Sequence, residues 1–396
     1  MTAVTVKLGQ YFTVHEKLKQ KIFEFILNRP DRILEPSIGR GDLIVFIKEN
    51  ISYNILFDMY EIDNTIELLN GITKSEVIYQ DFITVNIKQK YKTIIGNPPY
   101  IKIKKRNLYI DFIEKCYYLL ENNGELIFIV PSDFLKLTNT SILLNRMMMN
   151  GTFTHIFHPN NEKLFKDACI DIIIFRYCKN KLLSKKLLYN DKNMYIINTN
   201  GMITFTEKEH NHKHLFKDFF DIYVGLVSGK DSVYKNDELA NIKVLNSENK
   251  IDNYIYIEKY PSGNNLIDDY LLQNKKILLQ RKIRKFNEHN WFQWGGIRNI
   301  KKINARLDEQ CIYINNITRK SNVAFIGKVK YFGGSLIILI PKKHCNLENI
   351  TLYINSSEFK ANFTFSGRFK IGHRQISNSY IPDYACYPKN SLSTID

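Results

Sequence analysis

The chain has 396 residues, 44% hydrophobic and 24% charged, with a net charge of +16; this length suits two domains, and the composition is that of a globular protein rather than a disordered or fibrous one. No apolar run approaches the roughly 18 residues of a membrane span, and the first ten residues lack the core of a signal peptide, so neither span nor leader is expected. The six cysteines (Cys116, Cys169, Cys178, Cys311, Cys345, Cys386) include no Cys-x-x-Cys pair, which argues against a metal site or a disulfide framework and suits a reducing, cytoplasmic compartment.

Apolar residues at helical spacing predict a helix over residues 14–28. A short strand follows at 32–35, and the loop Pro36-Ser37-Ile38-Gly39-Arg40-Gly41-Asp42 opens a helix over 43–49. A second strand over 54–60 ends at Glu61, a short helix is expected at 65–70, and a third strand at 77–79 closes on Asp81. A fourth strand at 93–95 runs into Asn97-Pro98-Pro99-Tyr100. An amphipathic helix covers 108–120, a turn falls at 122–124, a fifth strand covers 126–130, and 153–157 with 171–177 read as a closing pair. Strands alternating with helices mean a doubly wound, mostly parallel α/β sheet. Residues 179–214 are polar, weakly periodic, and read as a connection; beyond 215, β-like runs such as 254–257 and 334–340 alternate with Gly- and Asn-rich turns, as in a mixed α+β domain. The boundary is placed near 213, giving domains 1–213 and 214–396.

Charge divides unevenly. Residues 1–180 carry 23 Lys+Arg against 20 Asp+Glu, net +3, and residues 181–396 carry 33 against 20, net +13. A basic half points to a polyanion, most simply nucleic acid, although an AT-rich coding bias also enriches Lys, Ile and Asn.

The chemistry concentrates at predicted strand ends, where open parallel sheets bind ligands. Gly39 and Gly41 let a ligand approach the backbone, but the third glycine of the dinucleotide fingerprint is absent. Glu35, Glu61 and Asp81-Phe82 close three successive strands and together suit a nucleoside: acceptors for ribose hydroxyls and an adenine amine, with a ring beside them. No phosphate-binding lysine motif is present. Two consecutive prolines after Asn97 stiffen the chain and hold an amide and the Tyr100 ring three positions apart, a frame for gripping a planar amine. A nucleoside without phosphates, beside an amine acceptor, points to S-adenosylmethionine.

These motifs, with Gly9-Gln10-Tyr11-Phe12-Thr13, Gly124-Glu125-Leu126 and Ile129-Val130-Pro131, resemble the adenine-specific DNA methyltransferases of the gamma arrangement, in which cofactor motifs come first and the target recognition domain last. The likeness is clear over about residues 9–178; Val224-Gly225 and Ser228-Gly229 resemble the start of the recognition domain. It implies that the Asn97 side-chain oxygen and the Pro98 carbonyl accept from the target adenine's amine, that Tyr100 and Phe165 flank the flipped base, and that S-adenosylmethionine lies against Thr13, Glu35, Gly39, Gly41, Glu61, Asp81 and Phe82. Ile38, where many relatives carry a smaller residue, and Arg40, a charge inside the loop, depart from the pattern.

The implied partner is double-stranded DNA, with or without a cognate restriction endonuclease, for a monomer away from membranes. Candidate DNA contacts are Lys104, Lys105 and Arg106 after Asn-Pro-Pro-Tyr; Arg281, Arg284, Trp291, Gln293, Trp294 and Arg298 in the basic half; and, with less support, Arg368 and Arg374. The tryptophan pair reads equally as core beside a solvated basic turn. Two other functions stay open: methylation of a protein glutamine or an RNA base through the same motif, and a non-catalytic DNA-specificity subunit.

Overall fold

The computed structural model describes residues 11–103, 106–165, 169–180, 185–209 and 214–386; Gly9, Gln10, Lys104 and Lys105 lie outside them. The chain divides into two compact units, residues 1–210 with 365–367, and residues 211–364 with 368–396. Among the described residues no helix is long and apolar enough to cross a membrane.

In the first unit the elements are α1 (Glu16–Phe25), β1 (Arg32–Glu35), α2 (Asp42–Asn50), β2 (Leu56–Glu61), β3 (Val77–Tyr79), β4 (Tyr91–Gly96), the small hairpin β5 (Lys102–Ile103) and β6 (Arg106–Asn107), α3 (Leu108–Leu119), β7 (Leu120–Pro131), α4 (Ser141–Met149), β8 (Gly151–Phe157), β9 (Ile172–Lys179), β10 (Lys186–Tyr189), β11 (Lys192–Thr199) and β12 (Met202–Thr206). One ten-stranded sheet runs β12-β11-β10-β8-β9-β7-β4-β1-β2-β3. Strands β3, β2, β1, β4 and β7 are parallel; β9 enters antiparallel between β7 and β8. This is the doubly wound α/β fold.

Both faces of the sheet are apolar because successive side chains alternate across it. Ile33, Ile95, Ile127, Ile129 and Ile174 pack toward α1 and α2; Leu34, Ile94, Leu126, Phe128 and Phe175 pack toward α3 and α4. Helix α3 buries Tyr109, Phe112, Ile113 and Cys116 at i, i+3, i+4, i+7 spacing. Ile113 is fully buried, and cutting it to alanine would cost about 2–5 kcal/mol through lost transfer energy and a cavity. The end of α1 is tied to β7 by the Glu125 carboxylate, which accepts from the backbone N–H groups of Leu27 and Asn28 at 3.3 and 3.1 Å.

Three expectations change here. Residues 65–70 are not helical. The Asp63 carboxylate accepts from Thr65 N–H at 3.0 Å, a local turn that competes with a helix, and Leu69 N–H donates to the Arg40 carbonyl. The expected turn at 122–124 is an irregularity inside β7, where the register with β4 shifts between Tyr91 and Thr93. Residues 179–214 are not a mere connection: strands β10, β11 and β12 extend the sheet through two antiparallel hairpins.

The second unit is built on an antiparallel sheet of Phe220–Val224, Leu336–Pro341, Gln310–Asn315 and Ala324–Lys328. Ile222, Ile312, Ile314, Ile337 and Leu339 form one core with helices Leu347–Asn355 and His373–Ser377. A separate core gathers Tyr234, Tyr254, Ile255, Leu271, Trp291 and Trp294.

Candidate functional site

A cavity of about 520 Å³ opens in the first unit at the carboxyl ends of β1, β2 and β4 and just beyond β3. Its lining includes Thr13, Glu35, Ser37, Gly39, Glu61, Asp81, Phe82, Asn97 and Pro99. The parallel register of these strands brings Glu35 beside Asn97, 62 positions further on, and the segment before α1 supplies Tyr11 and Thr13.

The loop from β1 to α2 needs its glycines. Gly41 caps α2 at φ 92°, and a Cβ there would lie 2.2 Å from Ile72 Cδ1. Gly39 has φ 56° and presents its N–H to the Glu61 carboxylate at 2.9 Å. Glu61 also accepts from Ile62 and Asp63 N–H at 2.9 and 3.0 Å, so three backbone donors fix it. Arg40 does not enter the cavity as a free charge: it pairs with Asp42 at 2.8 Å and lies over the Phe12 ring.

Glu35 is 2% exposed and accepts one backbone bond, from Ser37 N–H at 3.2 Å. Burial pushes its pKa well above the ordinary carboxylate range, and the nearby Glu61 pushes it further. Burial also raises Glu61, although its three backbone donors pull the other way. The Ser37 hydroxyl beside them is buried with no hydrogen-bond partner among the described residues. Two carboxyls with spare acceptor capacity and an unsatisfied hydroxyl are costly without a ligand; a cation and a diol would satisfy them.

Asp81 accepts from Ile83 N–H at 2.9 Å. Phe82 is 2% exposed, stacked on Phe112 with ring centroids 5.4 Å apart. Lys115 lies 4.7 Å over the Phe82 ring and donates to the carbonyls of Phe82 and Val85.

Asn97 sits at the other side of the cavity. Its Nδ2 donates to the Tyr11 carbonyl at 2.7 Å and to Thr13 Oγ1 at 3.1 Å, and its Oδ1 accepts from the Tyr100 hydroxyl at 2.5 Å. Both nitrogen bonds go to acceptors or acceptor-capable groups, which fixes which way the amide faces. The Tyr100 ring stacks on Tyr11 at 5.5 Å and meets Phe165 edge-on at 6.2 Å; Tyr11 and Phe165 are 5.8 Å apart. Pro98 is buried behind the motif. Asn97, Tyr100 and Phe165 therefore stand together, 68 positions apart along the chain.

Two participants are not singled out by the sequence reading. Tyr11 stands in the N-terminal motif Gly9-Gln10-Tyr11-Phe12-Thr13 with no role assigned there, and its ring joins Tyr100 and Phe165. Gly96 lets Glu35 approach: a Cβ there would lie 2.8 Å from Glu35 Oε1.

The basic half needs three corrections. Trp291 and Trp294 are each 3% exposed, packed in the core with Tyr234 and Tyr254, and Trp294 Nε1 donates to the Ile255 carbonyl at 2.9 Å. Their faces are spent on packing rather than offered to a partner. Arg281 is likewise buried, donating to the carbonyls of Leu278, Ser228, Gln293 and Trp291. Arg284, Arg298 and Arg368 are exposed, while Gln293 and Arg374 are half-buried. Arg106 pairs with Asp111 and Glu114 at 2.5 and 2.6 Å.

Residues 42–165 match the family of Eco57I restriction-modification methylases. The chain is similar to the Type II methyltransferase M.HincII of Haemophilus influenzae, 33% identical over 199 residues that cover 44% of this chain and 38% of that protein. It is also similar to the Type II methyltransferase M.CvrRI of Paramecium bursaria Chlorella virus XZ-6E, 28% identical over 212 residues, 49% of this chain and 55% of that one. The chain thus spans about two fifths to just over half the length of these relatives. Among solved structures, the Type IIL restriction-modification enzyme MmeI in complex with DNA shares the fold, with a TM-score of 0.58 and 11% identity over 94% of this chain and 64% of that one.

Proposed function

We propose that this protein is a restriction-modification DNA methyltransferase of the gamma arrangement, moving a methyl group from S-adenosylmethionine to the exocyclic amine of an adenine turned out of a duplex. The observation that carries the reading is one cavity with two kinds of wall. On one side stand buried carboxyls and an unsatisfied hydroxyl, Glu35, Glu61 and Ser37. On the other stands an amide held in one orientation, Asn97.

Glu35 would receive the cofactor's amino group, Glu61 its ribose hydroxyls, and Asp81 with Phe82 its adenine; Thr13, Gly39 and Gly41 shape the pocket. When bound, the cofactor supplies an already activated methyl group. The chain's own task is then positioning. The Asn97 oxygen and the Pro98 carbonyl would accept from the target amine and aim its lone pair. Tyr100 and Phe165 now pack against Tyr11; with that ring moved aside they would stack with the base, at roughly 1–3 kcal/mol per base, against the few kcal/mol lost on leaving the duplex. The second unit, in the half with net +13, would be the recognition domain. The three MmeI-like, HincII-like and CvrRI-like resemblances support the restriction-modification setting.

The test is methyl transfer from tritiated S-adenosylmethionine to duplex DNA, ribosomal RNA and protein in parallel, followed by digestion of the DNA to nucleosides. Label in N6-methyladenine is expected. Label only in RNA or in protein glutamine would replace the substrate assignment, and cofactor binding without transfer to any of them would favour a specificity subunit.

A further inference from the structure

The four residues Lys282, Ile283, Arg284 and Lys285 are all exposed, between buried Arg281 and buried Phe286. A run of cations on a surface is ordinarily a solvated loop. This one is held in place with unusual investment. The Arg281 guanidinium, 8% exposed, donates to Leu278 O at 2.7 Å, Ser228 O at 3.0 Å, Gln293 O at 2.9 Å and Trp291 O at 2.5 Å. It has no carboxylate partner among the described residues. Burying a cation costs several kcal/mol before its hydrogen bonds are counted, and here those bonds clamp three chain segments at the base of the loop. The Phe286 ring lies under both guanidiniums, 3.7 Å from that of Arg281 and 4.7 Å from that of Arg284.

The loop's tip is seated on glycines. Ile283 is 49% exposed, and its side chain approaches Gly229 and Gly295 so closely that a Cβ at either would lie 3.1 or 2.9 Å from it. These two glycines leave the space in which the isoleucine rests. Arg284 is steered by Gln293 Oε1 and Trp294 O, both 3.0 Å from its Nη2. Lys282 and Lys285 make no ion pair among the described residues. The result is a fixed turn presenting cation, apolar side chain, cation, cation.

We propose that this turn, residues 282–285, is a contact element for duplex DNA, with Lys282, Arg284 and Lys285 against phosphates and Ile283 against an apolar base edge in the groove. Arg281 is its positioning residue. A major groove of about 12 Å admits such a turn, and a thymine methyl there offers the apolar contact. The inference rests on DNA being the substrate, as proposed above.

The experiment uses the full chain and a fluorescent random-sequence 30-base-pair duplex, so no recognition site need be known. Affinity is measured by anisotropy over a range of salt for the unaltered protein and for Lys282→Ala/Lys285→Ala, with S-adenosylmethionine binding by calorimetry as a control. The double variant should bind the cofactor normally, bind duplex DNA more weakly, and lose about two units of log–log salt slope. Ile283→Ser, measured on the same duplex, should leave that slope unchanged and weaken binding. An unchanged slope and affinity in the double variant overturns the proposal while leaving the methyltransferase reading intact. A duplex RNA arm that weakens while DNA does not also overturns it. Failure of the unaltered protein to bind or methylate duplex DNA sinks the substrate reading itself.

Discussion

The Tyr100 hydroxyl lies 2.5 Å from Asn97 Oδ1 and 3.1 Å from the carbonyl oxygen of Ile129. Burial holds that hydroxyl well above the ordinary phenol range, so it stays protonated and donates. It carries one proton and faces two acceptors. On the function proposed above, a target amine at Asn97 would take its oxygen while the hydroxyl turns to Ile129, leaving no buried group unpaired.

The first prediction separates these two residues. Asn97→Ala removes the acceptor for the amine and should lower kcat by about 10²-fold or more, the scale of a lost positioned polar group. Tyr100→Phe keeps the ring and the stacking and should cost far less in kcat. Single-turnover methyl transfer with saturating cofactor compares them; equal losses in the two variants would argue that the amide oxygen is not the group that grips the amine.

The second prediction concerns pH. The pKa of Glu35 is raised in the folded protein, mainly by burial. Below the pKa of the unfolded chain, near 4.3, both states are protonated and the full contribution to stability is present. As pH rises from there through the raised folded pKa, the unfolded state releases its proton first, and stability is lost. Glu35→Gln should therefore stabilise the cofactor-free protein at pH 8, with an advantage that shrinks toward pH 4, while weakening S-adenosylmethionine. Thermal melts across that range, with calorimetry at pH 7.5, test both halves. A variant less stable than the parent at pH 8 would mean that the carboxylate is better satisfied than its surroundings indicate.

Much of this site is legible in the sequence because its parts are backbone-dictated. Proline pairs and strand-ending carboxylates announce themselves locally, and a parallel sheet collects strand ends at one edge. What the chain hides is what tertiary packing decides. Trp291 and Trp294 carry the same letters whether they face solvent or a core, and only their neighbours Tyr234 and Tyr254 settle which. Residues 65–70 have helical spacing but lose to the Asp63 turn. Strands β10 to β12 had a readable signal that polar side chains obscured: Asn190-Asp191 and Asn200-Gly201 each take φ > 0 and form two-residue hairpin turns.

The third prediction tests the buried ion pair between β7 and β9. Glu125 is fully buried, pairs with Arg176 at 2.6 Å and accepts from Thr93 Oγ1 at 2.8 Å. Arg176→Met leaves that carboxylate without its cation and should cost about 3–5 kcal/mol. Arg176→Met combined with Glu125→Gln should recover part of the loss, because an amide in place of the carboxylate buries no charge. Urea unfolding reads both; a double variant as unstable as the single one would indicate that packing of the arginine stem, rather than its charge, is what matters.

The fourth prediction joins Gly96 to Glu35. A Cβ on residue 96 would lie 2.8 Å from Glu35 Oε1 and 3.1 Å from Phe128 Cε1. Backbone strain is not the obstacle, since Gly96 is an ordinary residue of β4. The carboxylate is the nearer neighbour, and it is hemmed in by its bond to Ser37 N–H. Gly96→Ala should therefore cost about 1–3 kcal/mol of stability, as overpacking does, and should weaken the cofactor by displacing the carboxylate proposed to face it. In a Glu35→Ala background the first contact is gone and only Phe128 remains to be pushed. The stability cost of Gly96→Ala should then fall, and its effect on cofactor affinity should nearly vanish. Unfolding and calorimetry on the four members of this cycle give the coupling directly. Strictly additive effects would mean that the glycine serves the Phe128 ring alone, and that the position of Glu35 is set from elsewhere.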